Sequence, residues 1–166
     1  MNVEEAQGKG VYHFQHVRDG EVIDEWDAEN IIVNQGLNYV INASLCAGSV
    51  ITAFFLGLFS GNYTPVATDT ASSIAANATE VTAYAAGARQ AFTPAAASSQ
   101  QATNSASQAS FTFNASVTVY GAFLISSSTI NGTSGTLISA AQFGTSKSVV
   151  SGDQILVTYT FSLASS

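Results

Sequence analysis

The sequence VITAFFLGLFSGN, residues 50–62, is the most apolar run of the chain and ends in a Gly-Asn turn. As a strand, it would carry apolar side chains on both of its faces. The two sets are Phe54, Leu56 and Leu58 on one face, and Phe55, Gly57 and Phe59 on the other. A strand that is apolar on both faces belongs in the interior of a packed structure. The sequence therefore predicts a central strand within residues 50–62.

The composition limits the class of protein. Only 9% of the 166 residues are charged and 46% are hydrophobic, whereas a typical domain has about 25% charged residues. A chain of this length forms one domain with a substantial core. Its polar surface has to consist mainly of Ser, Thr, Asn, Gln and Gly. A surface with so little charge suits a protein that is packed against neighbours.

The net charge of −7 is concentrated near the N-terminus, where eight of the eleven acidic residues lie within the first 30 positions. Only four Lys and Arg residues occur, and they are scattered. Because nucleic-acid binding needs a basic stripe, no nucleic-acid partner is expected. Residues 40–59 carry no charge, but polar residues and Gly48 interrupt them, and no Lys or Arg flanks them. No membrane span is expected either.

The order of elements predicts a β-rich fold. Residues 1–9 form an N-terminal arm, and residues 10–166 form a single domain. The runs 10–18 and 21–28 are joined by Asp19-Gly20, a strong signal for a two-residue hairpin. Pro94 to Ser110 has no aromatic or large aliphatic residue, which predicts a long low-complexity loop. Alternating runs at 111–120 and 154–163 predict further strands.

One short helix is expected, at about residues 35–46. Apolar residues recur there with helical spacing, and Gly48 follows as a stop signal. The stripe consists of Leu37, Val40, Ile41, Ser44 and Leu45. Many strands with few helices between them predict a mainly-β fold, a sandwich or a barrel.

No residue pattern indicates catalysis, a cofactor or a metal, so the chain is not expected to be an enzyme. His13 and His16 are three residues apart and would point to opposite faces of a strand. The acidic residues at 24–29 lack the spacing of a calcium loop, and a solvated acidic hairpin explains them better than a glycosidase pair. Cys46, the single cysteine, is expected to be a small buried apolar residue.

Four stretches together resemble small structural proteins of tailed-phage virions, over roughly residues 20–163. They are NIIVNQGL (30–37); FLGLFS (55–60) with Pro65 and Asp69-Thr70; residues 80–92 with Ala88-Arg89-Gln90; and the C-terminal run with residues 121–124, 137–143 and 152–161. The family they resemble most is the capsid cement, or decoration, protein of Bordetella-type podoviruses.

This resemblance implies a jelly-roll-like antiparallel β-sandwich on the capsid exterior of a virion. It implies that the major capsid protein is the partner and that the chain forms a homo-oligomer, a dimer or a trimer. The function would be to bridge neighbouring capsid subunits. A tail, fibre or receptor-binding module of the same virion is the alternative, and a secreted or pilus-like surface protein is a third class.

Partner contacts are expected in segments that cannot fold on a core of their own, namely the arm and the loop at 94–110. Trp26 is also predicted to contact a partner, because it is a large aromatic residue among acidic neighbours. The alternative is that Trp26 belongs to the core. The predicted interface residues are Asn2, Val3, Glu4, Glu5, Trp26, Gln100, Gln101 and Asn104.

Overall fold

The computed structural model describes residues 6–165, which form ten strands and two helices. In chain order they are β1 (Ala6–Arg18), β2 (Glu21–Glu29), β3 (Ile31–Ile32), α1 (Asn34–Leu45), β4 (Phe54–Phe59), α2 (Ala71–Asn77), β5 (Gln90–Phe92), β6 (Gln101–Thr103), β7 (Ala109–Thr112), β8 (Val117–Ile125), β9 (Leu137–Val149) and β10 (Gln154–Ser165).

The strands form two antiparallel sheets. One has the order β2-β1-β10-β6, with β7 also pairing with β10, and the other has the order β3-β9-β8-β4-β5. The main core lies between the sheets, and it combines Tyr12 and Phe14 of one sheet with Leu56 and Leu58 of the other. The hydroxyl groups of Tyr12 and Ser139, 2.8 Å apart, also join the two sheets. The predicted mainly-β sandwich is confirmed.

The predicted central strand is also confirmed, in a shorter form. Strand β4 pairs with β8 on one side and with β5 on the other, so it is internal to its sheet. Leu56 and Leu58 belong to the core between the sheets, whereas Phe59 belongs to a second core that includes Ile74 of α2. Both faces of β4 are therefore covered, which explains why the strand is apolar throughout. Val50 lies outside the strand and is 67% exposed.

The predicted hairpin at the N-terminus is present, and Asp19 and Gly20 both have positive φ angles, 52° and 83°. The boundary of the predicted arm was wrong. Residues 6–9 belong to β1, because β10 is long enough to pair with them as far as Ser165. The remainder of the predicted arm, residues 1–5, lies outside the described residues.

The prediction of a long loop at 94–110 was also wrong. This segment contains β6 and the start of β7, and both strands pair with β10. Backbone hydrogen bonds to β10 order a stretch that has no large apolar side chains of its own. The side chain of Asn104 adds to this, because it donates to the Val157 carbonyl oxygen and accepts from the Tyr159 amide.

The alternating run at 111–120 is not a single strand. Its first part ends β7 in one sheet, and its second part begins β8 in the other sheet. The chain changes sheets at residues 113–116, where Phe113 is still buried in the core. Alternation alone does not reveal this change, because both strands place one face on the same core.

The sequence predicts one helix as an element, and the structure adds a second, α2. Thr70 caps α2 by accepting from the Ser73 amide, while the Ser73 hydroxyl accepts from the Thr70 amide. Buried Asp69 accepts hydrogen bonds from the Tyr63 hydroxyl and the Val66 amide, which fixes the preceding turn. Neither helix of the described chain is long and apolar enough to cross a membrane.

Candidate interaction surface

The charges that follow residue 30 are used inside the fold. Asp69, Glu80, Arg89 and Asp153 are each no more than 5% exposed. Lys147, the fifth charged residue after position 30, has a side chain that is 19% exposed and lies over the Trp26 ring. Across residues 6–165, the exposed charges are consequently confined to the hairpin of β1 and β2. The rest of the described surface consists of uncharged polar residues together with some exposed apolar side chains.

Helix α1 exposes most of the apolar stripe that the sequence predicts. It packs on the sheet through Gly36, where a Cβ atom would collide with the Ile138 backbone. The outward side carries Leu37, Ile41 and Leu45, which are 38%, 51% and 81% exposed. We call these three residues the α1 stripe. A helical period predicts that apolar residues share a face, but it does not predict that the face is covered by this chain.

The α1 stripe continues onto the end of strand β10. A Cβ atom added at Gly8 would lie 3.7 Å from the Cδ2 atoms of both Leu37 and Leu163, so these two leucines flank the same glycine. Leu163 is 42% exposed. Its amide donates to the Gln100 carbonyl oxygen at 3.0 Å. The stripe, the end of β10 and the turn at Gln100 therefore adjoin one another.

A second exposed surface has the opposite character. Strand β2 lies at the edge of its sheet, and its outward positions alternate with the core-facing ones. Four of these exposed positions are acidic: Glu21, Glu25, Asp27 and Glu29. We call these four residues the acidic face. Its negative charge suits the acidic face to contacts of a different kind from those of the apolar α1 stripe.

His13 is held at the acidic face by two carboxylates. Its Nδ1 atom lies 2.7 Å from Asp27 Oδ1 and its Nε2 atom 3.1 Å from Glu25 Oε1. The hydrogen bond with Asp27 is the main cause that raises the pKa of His13 above 6.5. His16 points to the other side of β1, as predicted, and contacts buried Asp153 at 2.8 Å. The two histidines therefore do not meet.

Trp26 is half-buried at the rim of the core. Its ring stacks on Phe14 at 5.2 Å and meets the edge of Phe143 at 5.4 Å. The Nζ atom of Lys147 lies 4.4 Å from the ring centre, in a cation–π arrangement. The tryptophan therefore packs on the core, which was the alternative interpretation of this residue.

The other predicted interface residues have different positions. Gln100 and Gln101 are exposed next to the end of β10, close to the α1 stripe. Asn104 is 1% exposed and its side chain is bonded to β10. The prediction that Asn104 contacts a partner was therefore wrong, because its amide is needed within the fold. Asn2, Val3, Glu4 and Glu5 lie outside the described residues.

The prediction that Cys46 is buried was wrong as well. Cys46 follows α1 and is exposed. The core ends at the inner side of α1, so a residue just beyond the helix has no apolar layer to enter. Among residues 6–165, no group of three or more His, Cys, Asp or Glu side chains is arranged to hold a metal ion.

The sequence matches no protein-family model and no curated protein.

Proposed function

We propose that the chain is a structural virion protein that binds the outer surface of a phage capsid and stabilises it by bridging neighbouring major capsid protein subunits. The sequence resemblance suggests this role. The exposed α1 stripe is the structural observation that carries it, because such a patch favours contact with another protein. No charged residue occurs between Glu29 and Asp69, so association through α1 buries no unpaired charge from this region.

A bridging protein needs at least two contact surfaces, and the described chain offers two of different chemistry. The α1 stripe, with Leu163 and Gln100, would supply apolar burial. The acidic face would meet basic groups and set the orientation of binding. Contacts at both surfaces add through effective concentration, so each can be modest while the assembly is stable.

The uncharged remainder of the surface supports the same role. A free protein needs surface charge to remain apart from its copies. Here most charged side chains outside the first hairpin hold internal turns and loops together. A surface of this kind suits a protein that is present at high local density within an assembly, including contacts between its own copies as a dimer or a trimer.

The test uses two substitutions in the α1 stripe, Ile41→Lys and Leu45→Lys, each alone and together in a double variant. Both side chains are at least half exposed, so the fold should persist, as circular dichroism can check. Purified capsids that lack this protein are incubated with each variant, sedimented and assayed for resistance to heat. We expect the double variant to lose at least tenfold in binding and to leave capsids as heat-sensitive as untreated ones.

The matched control is Val150→Lys, which places the same charge at an exposed valine, 44% accessible. Val150 follows the end of β9, whereas α1 packs near the start of that strand, at Ile138. The control variant should bind and protect like the unmodified protein. Binding by the stripe variants that equals that of the control would contradict the use of this surface. If the unmodified protein itself fails to bind capsids, the capsid role is wrong. A tail, fibre or receptor-binding module remains the second candidate, and copy number in the virion separates it from the first.

A further inference from the structure

A groove runs along the side of α1 next to the stripe, because Asn38 and Asn42 of its lining lie one helical turn from Ile41 and Leu45. It has a volume of about 520 Å³, which is within the range of small-ligand sites. The chain after α1 folds back to form its second wall. Two amides, of Cys46 and Gly48, donate to the Asn42 carbonyl oxygen at 3.2 and 2.9 Å, and the Ile51 amide donates to the Tyr39 hydroxyl at 3.0 Å.

The groove is lined by three carboxamide side chains, those of Gln35, Asn38 and Asn42. Gln35 is fixed by its Oε1 atom, which accepts from the Leu137 amide at 2.9 Å. Within the described residues, the Nε2 atom of Gln35 and the side-chain carboxamide groups of Asn38 and Asn42 form no hydrogen bonds with protein atoms. Each free carboxamide offers both donors and an acceptor. The lining therefore has hydrogen-bonding capacity that the fold does not use.

The chemistry of the other lining residues narrows the kind of ligand. Ser49 and Thr136 add hydroxyl groups, while Tyr39 and Ile51 add apolar surface. No charged side chain lines the groove, so it offers no opposite charge to a phosphate, a carboxylate or a metal ion. A wholly apolar ligand would cover the carboxamides without satisfying them, which costs binding energy.

We infer that this groove binds a neutral saccharide. A sugar presents several hydroxyl groups, each a donor and an acceptor, together with C–H surfaces that pack on Tyr39 and Ile51. It is the ligand class that matches carboxamides and hydroxyls without any charge. This inference goes beyond the proposed capsid role and does not rest on it, because it uses the polar side chains that line the groove and none of the three residues of the α1 stripe.

The test is an NMR titration of the free ¹⁵N-labelled protein with D-glucose, D-galactose and N-acetyl-D-glucosamine. Sodium sulfate and hexanol serve as charged and apolar probes. We expect at least one sugar to cause saturable shifts at the Asn38 and Asn42 side-chain amides, with a dissociation constant in the millimolar range or below. Asn38→Ala and Asn42→Ala should each weaken binding by about tenfold, as expected for the loss of a ligand hydrogen bond.

Asn34→Ala is the matched control, because Asn34 is an exposed asparagine of the same helix that does not line the groove. It should leave sugar binding unchanged. The inference is overturned if none of the sugars gives a saturable shift, if the groove variants bind as well as the control, or if sulfate or hexanol occupies the groove in preference. All of these results are independent of whether the protein binds capsids.

Discussion

Arg89 and Glu80 form a doubly hydrogen-bonded ion pair in which both side chains are only 1% exposed. Arg89 Nε lies 2.7 Å from Glu80 Oε1, and Nη2 lies 2.9 Å from Oε2. Arg89 Nη1 also donates to the Ser127 carbonyl oxygen, and Glu80 Oε2 accepts from the Asn131 amide. The pair therefore joins the chain before β5 to the loop between β8 and β9.

Removing one member of this pair should be more damaging than removing both. Arg89→Met leaves the Glu80 carboxylate buried without a positively charged partner, which typically costs about 3–5 kcal/mol. The double variant with Glu80→Gln removes the charge as well, and should recover part of that loss. Urea unfolding followed by circular dichroism measures both free energies. A loss below about 1 kcal/mol for Arg89→Met alone would show that the pair is not essential to the fold.

Asp153 should make the protein sensitive to acid. Arg18 donates two hydrogen bonds to its carboxylate, which are the main cause that holds the pKa of Asp153 well below its usual range; the Val150 amide and His16 add to this. A depressed folded-state pKa gives stability that is complete above the unfolded pKa, about 3.9, and is lost as the pH falls towards the folded value.

The measurement for Asp153 is the urea midpoint as a function of pH. We expect the urea midpoint of the unmodified protein to fall as the pH drops below about 4. Asp153→Asn should lower the midpoint at neutral pH and make it depend less on acid. Asp19→Asn is the control, because Asp19 is an exposed turn residue and Asn tolerates its positive φ. Equal acid dependence in both variants would assign the effect to other carboxylates.

His13 should titrate above the ordinary value for histidine. Its hydrogen bond with Asp27 is the main cause that raises its pKa, and Glu25 contributes as well, against the effect of burial. Any stability from this contact is complete below about pH 6.5 and is lost as the pH rises through the folded pKa. NMR titration of the imidazole protons should show a lower pKa in Asp27→Asn than in the unmodified protein. An unchanged pKa would mean that this contact does not persist in solution.

Gly57 should tolerate no side chain, because a Cβ atom at that position would overlap the ring of Phe123 on the neighbouring strand. We expect Gly57→Ala to destabilise the protein by about 1–3 kcal/mol, as overpacked cores do. Gly144→Ala is the control, since a Cβ atom at Gly144 would meet no atom within 4 Å. Thermal unfolding compares the two variants, and equal midpoints would contradict the packing described for β4.

Patterns in the sequence predict elements whose cause is local. Asp19-Gly20 predicts its hairpin, because few other residue pairs adopt two positive φ angles. The doubly apolar run at Phe54–Phe59 predicts an internal strand, because neither face can meet water. Pairing between strands that are distant in the sequence is harder to predict. Strands β6 and β7 are ordered by β10, a partner that lies some 50 residues away in the sequence.

The candidate surface was less predictable than the fold. The stripe Leu37, Ile41 and Leu45 has the spacing of a buried face, yet the buried residue of α1 is Gly36, which packs against the backbone of β9. A glycine inside a helix signals close approach of another backbone, and it could have identified the true inner side. Which exposed surface a partner covers depends on the partner, and this chain does not encode it alone.

The central claim is most directly tested by the number of copies in a virion. Under the proposed function a phage encodes this chain, so virions of that phage are purified and quantitative mass spectrometry compares the chain with the major capsid protein. A capsid-bridging role predicts a copy number close to that of the major capsid protein. A few to some tens of copies would instead indicate a tail or fibre protein, and absence from the virion would contradict both.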